Sequence, residues 1–180
     1  MDIKKICIAL GAAGIGEISI DEIKFAPELR TLCEANSCGR FDSNYTCPPN
    51  IGEVDELIAK LQSFDNAVIW QNIYPLEDSF DFEGMMDGQD KHNAMTIEIA
   101  KNIYEKFGRE KAIVLGAGGC TICTECAAKK KEPCRNSELA LASLEAYGLN
   151  VSQIAELAGL KYINGQNTVT YFSGVFYNKD

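Results

Sequence analysis

The stretch from Gly116 to Arg135, GAGGCTICTECAAKKKEPCR, gathers Cys120, Cys123, Cys126 and Cys134 into one glycine-led loop. Thiolates at i, i+3 and i+6 wrap a tight backbone curve around one centre. A further sulfur, returning after seven intervening residues, can close a coordination shell. Sulfur-only shells suit zinc or iron-sulfur clusters, so ligand type leaves both open. Spacing separates them better. Structural zinc ribbons bring together two separated Cys-x2-Cys pairs, whereas three cysteines on one repeating x2 spacing are the pattern that grips successive irons of a 4Fe-4S cube.

The flanks of this loop fit a cluster. Gly116, Gly118 and Gly119 lack Cβ atoms and let backbone N–H groups approach the sulfurs. Lys129, Lys130, Lys131 and Arg135 place cations beside thiolates that are net negative once ligated, where they would stabilise the reduced form or dock an acidic partner. A solvated lysine run accounts for the same residues equally well. One departure from the ferredoxin pattern is that Pro133 comes before the last cysteine rather than after it.

A second cysteine group reads LCEANSCGRFDSNYTCPPNIG, with Cys33, Cys38 and Cys47 in a turn-rich stretch ended by Pro48 and Pro49. Three sulfurs leave a shell one ligand short. Its fourth partner is expected from Cys7, Glu34, Asp42, His92, water or a substrate, and an open position would permit substrate ligation as well as electron transfer. Against this stands the plain alternative of buried core cysteines.

A chain of 180 residues with 46% hydrophobic content fits a single domain, 1–180, able to bury a core without metal. A net charge of -9, with no basic stripe to offset it, excludes nucleic acid as the expected partner. No apolar run approaches the roughly 20 residues of a membrane span, and the Ile6–Ile15 run after Lys4-Lys5 carries two glycines and no convincing cleavage site. Eight cysteines clustered at x2 spacing in such a chain fit metal ligation in a reducing cytoplasm better than four disulfides.

Along the chain, Ile3, Ile6, Cys7 and Leu10 mark one helix face, making Cys7 a core residue. Ile18 and Ile20 suggest a short strand. Val54 to Leu61 reads as a helix and Ala67 to Tyr74 as a buried strand. Pro75 to Asp90 is expected as an exposed acidic loop, with His92 at the surface where a long helix begins and Gly108 stopping it. Ala112 to Leu115 is the strand that delivers the cysteine loop. Ser137 is expected to cap a helix through Tyr147, Val151 to Leu157 forms another, and Thr168–Phe172 and Val175–Tyr177 form strands around Ser173-Gly174. This alternation predicts an α/β or α+β fold: a mixed sheet of about four strands, flanking helices and two cysteine-rich metal-binding loops. The two loops are expected at one edge of the sheet, each following a strand of the same direction.

Taken in order, LRTLCEANSCGRF, NYTCPPNIG, GGCTICTECA and EPCRNSELALASLEAYGLNV resemble an uncharacterised prokaryotic family of predicted cysteine-rich metal-binding proteins, a domain of unknown function. The resemblance implies metal binding and carries over Cys33, Cys38, Cys47, Cys120, Cys123, Cys126 and Cys134 as ligands, without Cys7. It assigns no reaction and no catalytic residue. Three functions follow as expectations: a redox protein with one or two 4Fe-4S clusters and a redox partner protein; a zinc-stapled interaction module; or an enzyme binding a small substrate at an open-site cluster.

Overall fold

The computed structural model describes residues 2–179. Four strands, β1 (Gly14–Ser19), β2 (Asn66–Pro75), β3 (Ala112–Leu115) and β4 (Thr168–Tyr177), form one sheet in the order β1-β2-β4-β3. Five helices accompany it: α1 (Ile3–Ala9), α2 (Arg30–Glu34), α3 (Val54–Gln62), α4 (Phe82–Phe107) and α5 (Val151–Leu157). The α/β architecture and strand count are as the sequence predicts. The sheet, however, is antiparallel throughout rather than mixed. A single parallel bridge, Gly116 to Ser143, lies outside the named strands.

Period-two alternation sorts the strands onto two cores. Ala67, Ile69, Leu115, Phe172 and Phe176 face a layer that includes Leu61 of α3, Ile154 of α5 and the segment Ala142–Leu149. Val68, Trp70, Val114, Val175 and Tyr177 face α1 and α4 on the other side. In α4 the buried residues Gly88, His92, Thr96, Ile99, Ala100 and Ile103 recur three or four apart, the stripe a helix needs to lie along a sheet. Cys7 is fully buried in this second layer, beside Ile3, as its spacing predicts.

Three local expectations change. First, residues 82–90 are not loop but the opening turns of α4. Asp81 caps the helix by accepting from the Gly84 N–H (2.8 Å). Gly88 packs its bare α-carbon against the Tyr74 ring, so an acidic stretch still has one face to bury. His92 therefore lies within the helix and is fully buried, not at the surface. Second, residues 137–147 do not form a helix. Gly116 N–H donates to Ala142 O (2.7 Å) and Leu144 N–H to Gly116 O (3.2 Å), drawing the backbone into extended pairing before a 3-10 turn at Glu145–Tyr147. Ala142 and Leu144, on either side of the Ser143 that bridges Gly116, are buried. Third, β4 runs unbroken through Ser173 and Gly174. A Cβ on Gly174 would come within 2.8 Å of Ile69 Cδ1, so that glycine marks a close approach in a central strand, not a turn.

Candidate metal centre

The loop after β3 leaves the sheet through Gly116 and is held first by α4. Gln89 Nε2 and Asn93 Nδ2 both donate to Ala117 O, at 3.3 and 3.1 Å. Gly118 then turns with φ of 72°, a left-handed conformation that glycine adopts without strain. Past the x2-spaced cysteines, a 3-10 turn at Ala127–Lys130 buries two alanines and pins the far side of the loop. Within the lysine run, Lys130 pairs with Glu125 (3.0 Å), while Arg135 donates to the Glu125 carbonyl. Lys129 and Lys131 stand exposed.

Cys120, Cys123, Cys126 and Cys134 line one small cavity, together with Asn44, Tyr45, Thr46, Ala127, Arg135, Asn136 and Ala140. No carboxylate borders it, and its four cysteines are the residues there that ionise to anionic ligands, beside the neutral amides and hydroxyls of Asn44, Thr46 and Asn136. Asn136 Nδ2 donates to Cys123 Sγ at 3.2 Å. Burial pushes the Cys120 thiol above its ordinary pKa; the Ile122 backbone N–H opposes this, and the other three thiols of the loop add to it. A cation bound among them would reverse that cost, because ligation stabilises the thiolate that burial disfavours. Among the described residues no three His, Cys, Asp or Glu side chains already converge as a site for one metal ion. The loop's four sulfurs border a cavity instead.

The earlier group starts on a short helix rather than wholly in loop. Cys33 lies in α2, half-buried; Cys38 is exposed; Cys47 is half-buried just before Pro48. Arg30, one turn before Cys33, anchors α2 by donating to Gly52 O (3.0 Å) and Ala146 O (3.2 Å). Burial raises the Cys47 thiol, and the neighbouring Cys38 raises it further while Arg40 pulls it down. Cys33 is also raised by burial, opposed by Arg30. All eight cysteines are free thiols.

The two groups meet. Asn44 Nδ2 donates to Cys120 O (2.8 Å), and the Cys120 N–H donates to Thr46 Oγ1 (2.9 Å). Asn44 Oδ1 in turn accepts from both the N–H and the hydroxyl of Thr46, each at 3.0 Å. Tyr45 reaches across to donate its hydroxyl to Glu132 O (2.6 Å). A Cβ on Gly119 would fall 2.8 Å from Cys47 Sγ and 3.1 Å from Arg40 Cδ. The expected meeting of the loops is thus present, but the strand argument for it fails. With every pairing antiparallel in the order β1-β2-β4-β3, β1 and β3 run in opposite directions. What brings the loops together is the segment after β1, which Ala26 N–H to Gly148 O (2.8 Å) and the Arg30 contacts tie to the layer over the sheet. The close approach expected at Gly119 is present, whereas Asn44 and Thr46 carry no signal in the sequence beyond a polar N-Y-T directly before Cys47.

Other candidate fourth ligands separate clearly. Cys7 lies in the opposite core layer, and burial pushes its thiol up to about 12. His92 bonds Ser173 Oγ at 2.8 Å beneath β4. Glu34 and Asp42 remain near the group and exposed, the Asp42 carboxylate accepting from Asn50 Nδ2 at 3.5 Å.

Residues 16–177 match the family described as predicted metal-binding protein (DUF2284). The chain belongs to that family. No curated protein and no solved structure matches it. As a DUF2284 member it is a predicted metal-binding protein, and both of its cysteine groups fall inside the matched span. No helix among the described residues is long and apolar enough to cross a membrane.

Proposed function

We propose that Cys120, Cys123, Cys126 and Cys134 ligate a 4Fe-4S cluster, and that the protein is a cytoplasmic redox protein exchanging electrons with a partner protein. The observation that carries this reading is one cavity lined by all four cysteines and no carboxylate, on a loop with repeating x2 spacing. A bound cluster would supply one-electron chemistry. The chain's own residues do the rest. Asn136 donates to the Cys123 sulfur, which favours the more negative, reduced form. Ala127 is buried and lines the cavity beside the cysteines. Lys129 and Lys131 present exposed cations beside the loop to an acidic partner surface.

Zinc is the second reading, because a sulfur-only donor set suits it equally and the loop is stapled to a neighbouring segment as a structural site would be. One preparation separates the two. Protein purified without oxygen should be brown, with broad absorbance near about 400 nm that bleaches with dithionite, and Cys120→Ala or Cys123→Ala should lose it while remaining folded. Colourless protein carrying zinc would overturn the iron-sulfur reading. Full iron and an unchanged spectrum in both variants would overturn the ligand set.

A further inference from the structure

Strand β3 is an edge strand, because the order β1-β2-β4-β3 leaves one of its sides without a neighbour in the sheet. Only its exit is covered there. Gly116 bridges Ser143, and before that bridge residues 137–142 stand off from the strand, leaving a notch of about 240 Å³ along it. The notch is not laid out for an added peptide strand. The Val114 N–H, which a further strand would need, already donates to the Tyr104 hydroxyl (3.1 Å).

Both layers over the sheet send a cation to this notch. Lys60 comes from α3 on one face; Arg109, just past the end of α4 on the other, lies with its guanidinium carbon 4.6 Å from the Tyr104 ring centroid. Neither makes an ion pair among the described residues, although the chain carries a net charge of -9. Glu138, exposed on the outer wall, is the one carboxylate in the lining. Tyr147 also lines the notch. It is only 8% exposed, yet its hydroxyl has no hydrogen-bond partner among the described residues and is not sealed from solvent. Burial, with Tyr104 nearby, raises its pKa and so keeps it a donor. A buried phenol that leaves its donor open toward a cavity is set for an acceptor that the chain does not supply. Ile113 and Leu141 add an apolar wall.

We propose that this notch binds a small organic anion, a carboxylate or a phosphate ester, and that its occupancy steadies the clamp on Cys120. Lys60 and Arg109 meet the charged head, the Tyr147 hydroxyl donates to it, and the body of the ligand lies along Ile113 and Leu141. A bare inorganic ion would leave that wall unfilled. Tyr45, Thr46 and Ala140 line the notch and the cysteine cavity alike, and Thr46 is the residue whose hydroxyl accepts from the Cys120 N–H. The ligand therefore sits one side chain away from the cysteine loop. None of this depends on which metal the cysteines hold.

The test uses the full chain, purified without oxygen and with its metal retained, titrated calorimetrically with benzoate, phenyl phosphate and the neutral benzyl alcohol. At least one of the two anions should bind at a single site, and benzyl alcohol should bind about tenfold more weakly or not at all, as the loss of a charge-assisted contact implies. Benzoate alone would assign a carboxylate head, and phenyl phosphate alone a phosphoryl head. Lys60→Gln and Arg109→Gln change exposed side chains and should keep the native melting curve while weakening the anion by a similar factor. Tyr147→Phe keeps the buried ring and removes a hydroxyl that bonds nothing in the chain, so it too should weaken binding without lowering stability. Failure of both anions to bind, equal binding of benzyl alcohol, or native affinity in all three variants would overturn the site. Saturation with the anion should also slow the stripping of metal by the neutral chelator phenanthroline. An unchanged rate would overturn the link to the cysteine loop and leave the site standing.

Discussion

Cys120 is gripped through its backbone rather than its thiol, with Asn44 on its carbonyl and Thr46 on its N–H. Thr46 is 6% exposed, so water does not replace its hydroxyl if that is lost. Thr46→Val keeps the shape and strands a buried donor, which costs about 1–3 kcal/mol. Melting of the metal-free protein should drop by on the order of 5 °C, and a chelator should strip metal faster. An unchanged melting curve would show that the clamp contributes nothing. His92 offers a second test. Burial lowers its pKa to about 4 from the 6.5 of an unburied imidazole. As pH falls below 6.5 the unfolded chain takes up a proton that the folded chain refuses until about 4, so stability is full above 6.5 and drains away across that interval. The gap corresponds to about 3 kcal/mol. Urea unfolding at pH 7 and pH 4 should show that loss in the native chain, and His92→Gln should be less sensitive over the same range.

Elements here are set by what each can bury. Helix α4 extends through Glu83, Asp87 and Asp90 because its other side lays Gly88, His92 and Thr96 along the sheet, and the acidic residues need only solvent. Thr96 and His92 both reach Ser173 Oγ, at 3.1 and 2.8 Å, which fixes the register of helix on strand. Strand β1 is placed by the opposite device, an absent side chain. A Cβ on Gly16 would collide with the Ala158 carbonyl at the end of α5, backbone that cannot swing aside. Gly16→Ala should therefore separate β1 from α5 at a cost of about 1–3 kcal/mol, read as a lower urea midpoint. A midpoint equal to the native one would mean that the strand shifts freely.

Across the whole molecule, the two apolar cores and the cysteine site are separate structures. Neither core includes any of the seven cysteines of the two loops; among the cysteines only Cys7 is a core residue. Removing metal should loosen the two loops and leave the sheet. Far-ultraviolet circular dichroism should stay near native after chelation, while amide exchange quickens at residues 36–47 and 117–136. Collapse of the circular dichroism signal would place the metal in the folding core, as in proteins that fold only when loaded.

Periodicity and composition were enough to read the α/β class, β2, β3, α1, α3 and α5, because apolar spacing of 3.6 or 2 reports which face is buried whatever lies opposite. The four-cysteine loop was equally plain, since its spacing is local. Tertiary structure decided the remainder. Strand direction depends on connections that spacing does not encode, so an antiparallel sheet replaced the mixed one. Residues 137–147 carry helix formers, yet Ser143 bridges Gly116 and a 3-10 turn follows, because a partner far away in sequence outweighs local propensity there. His92 has no apolar signature, and only the approach of Ser173 from a distant strand makes its burial tolerable. The clamp of Asn44 and Thr46 on Cys120 spans more than seventy residues of chain. Short polar side chains of this kind look like ordinary turn residues until folding brings their partner within reach.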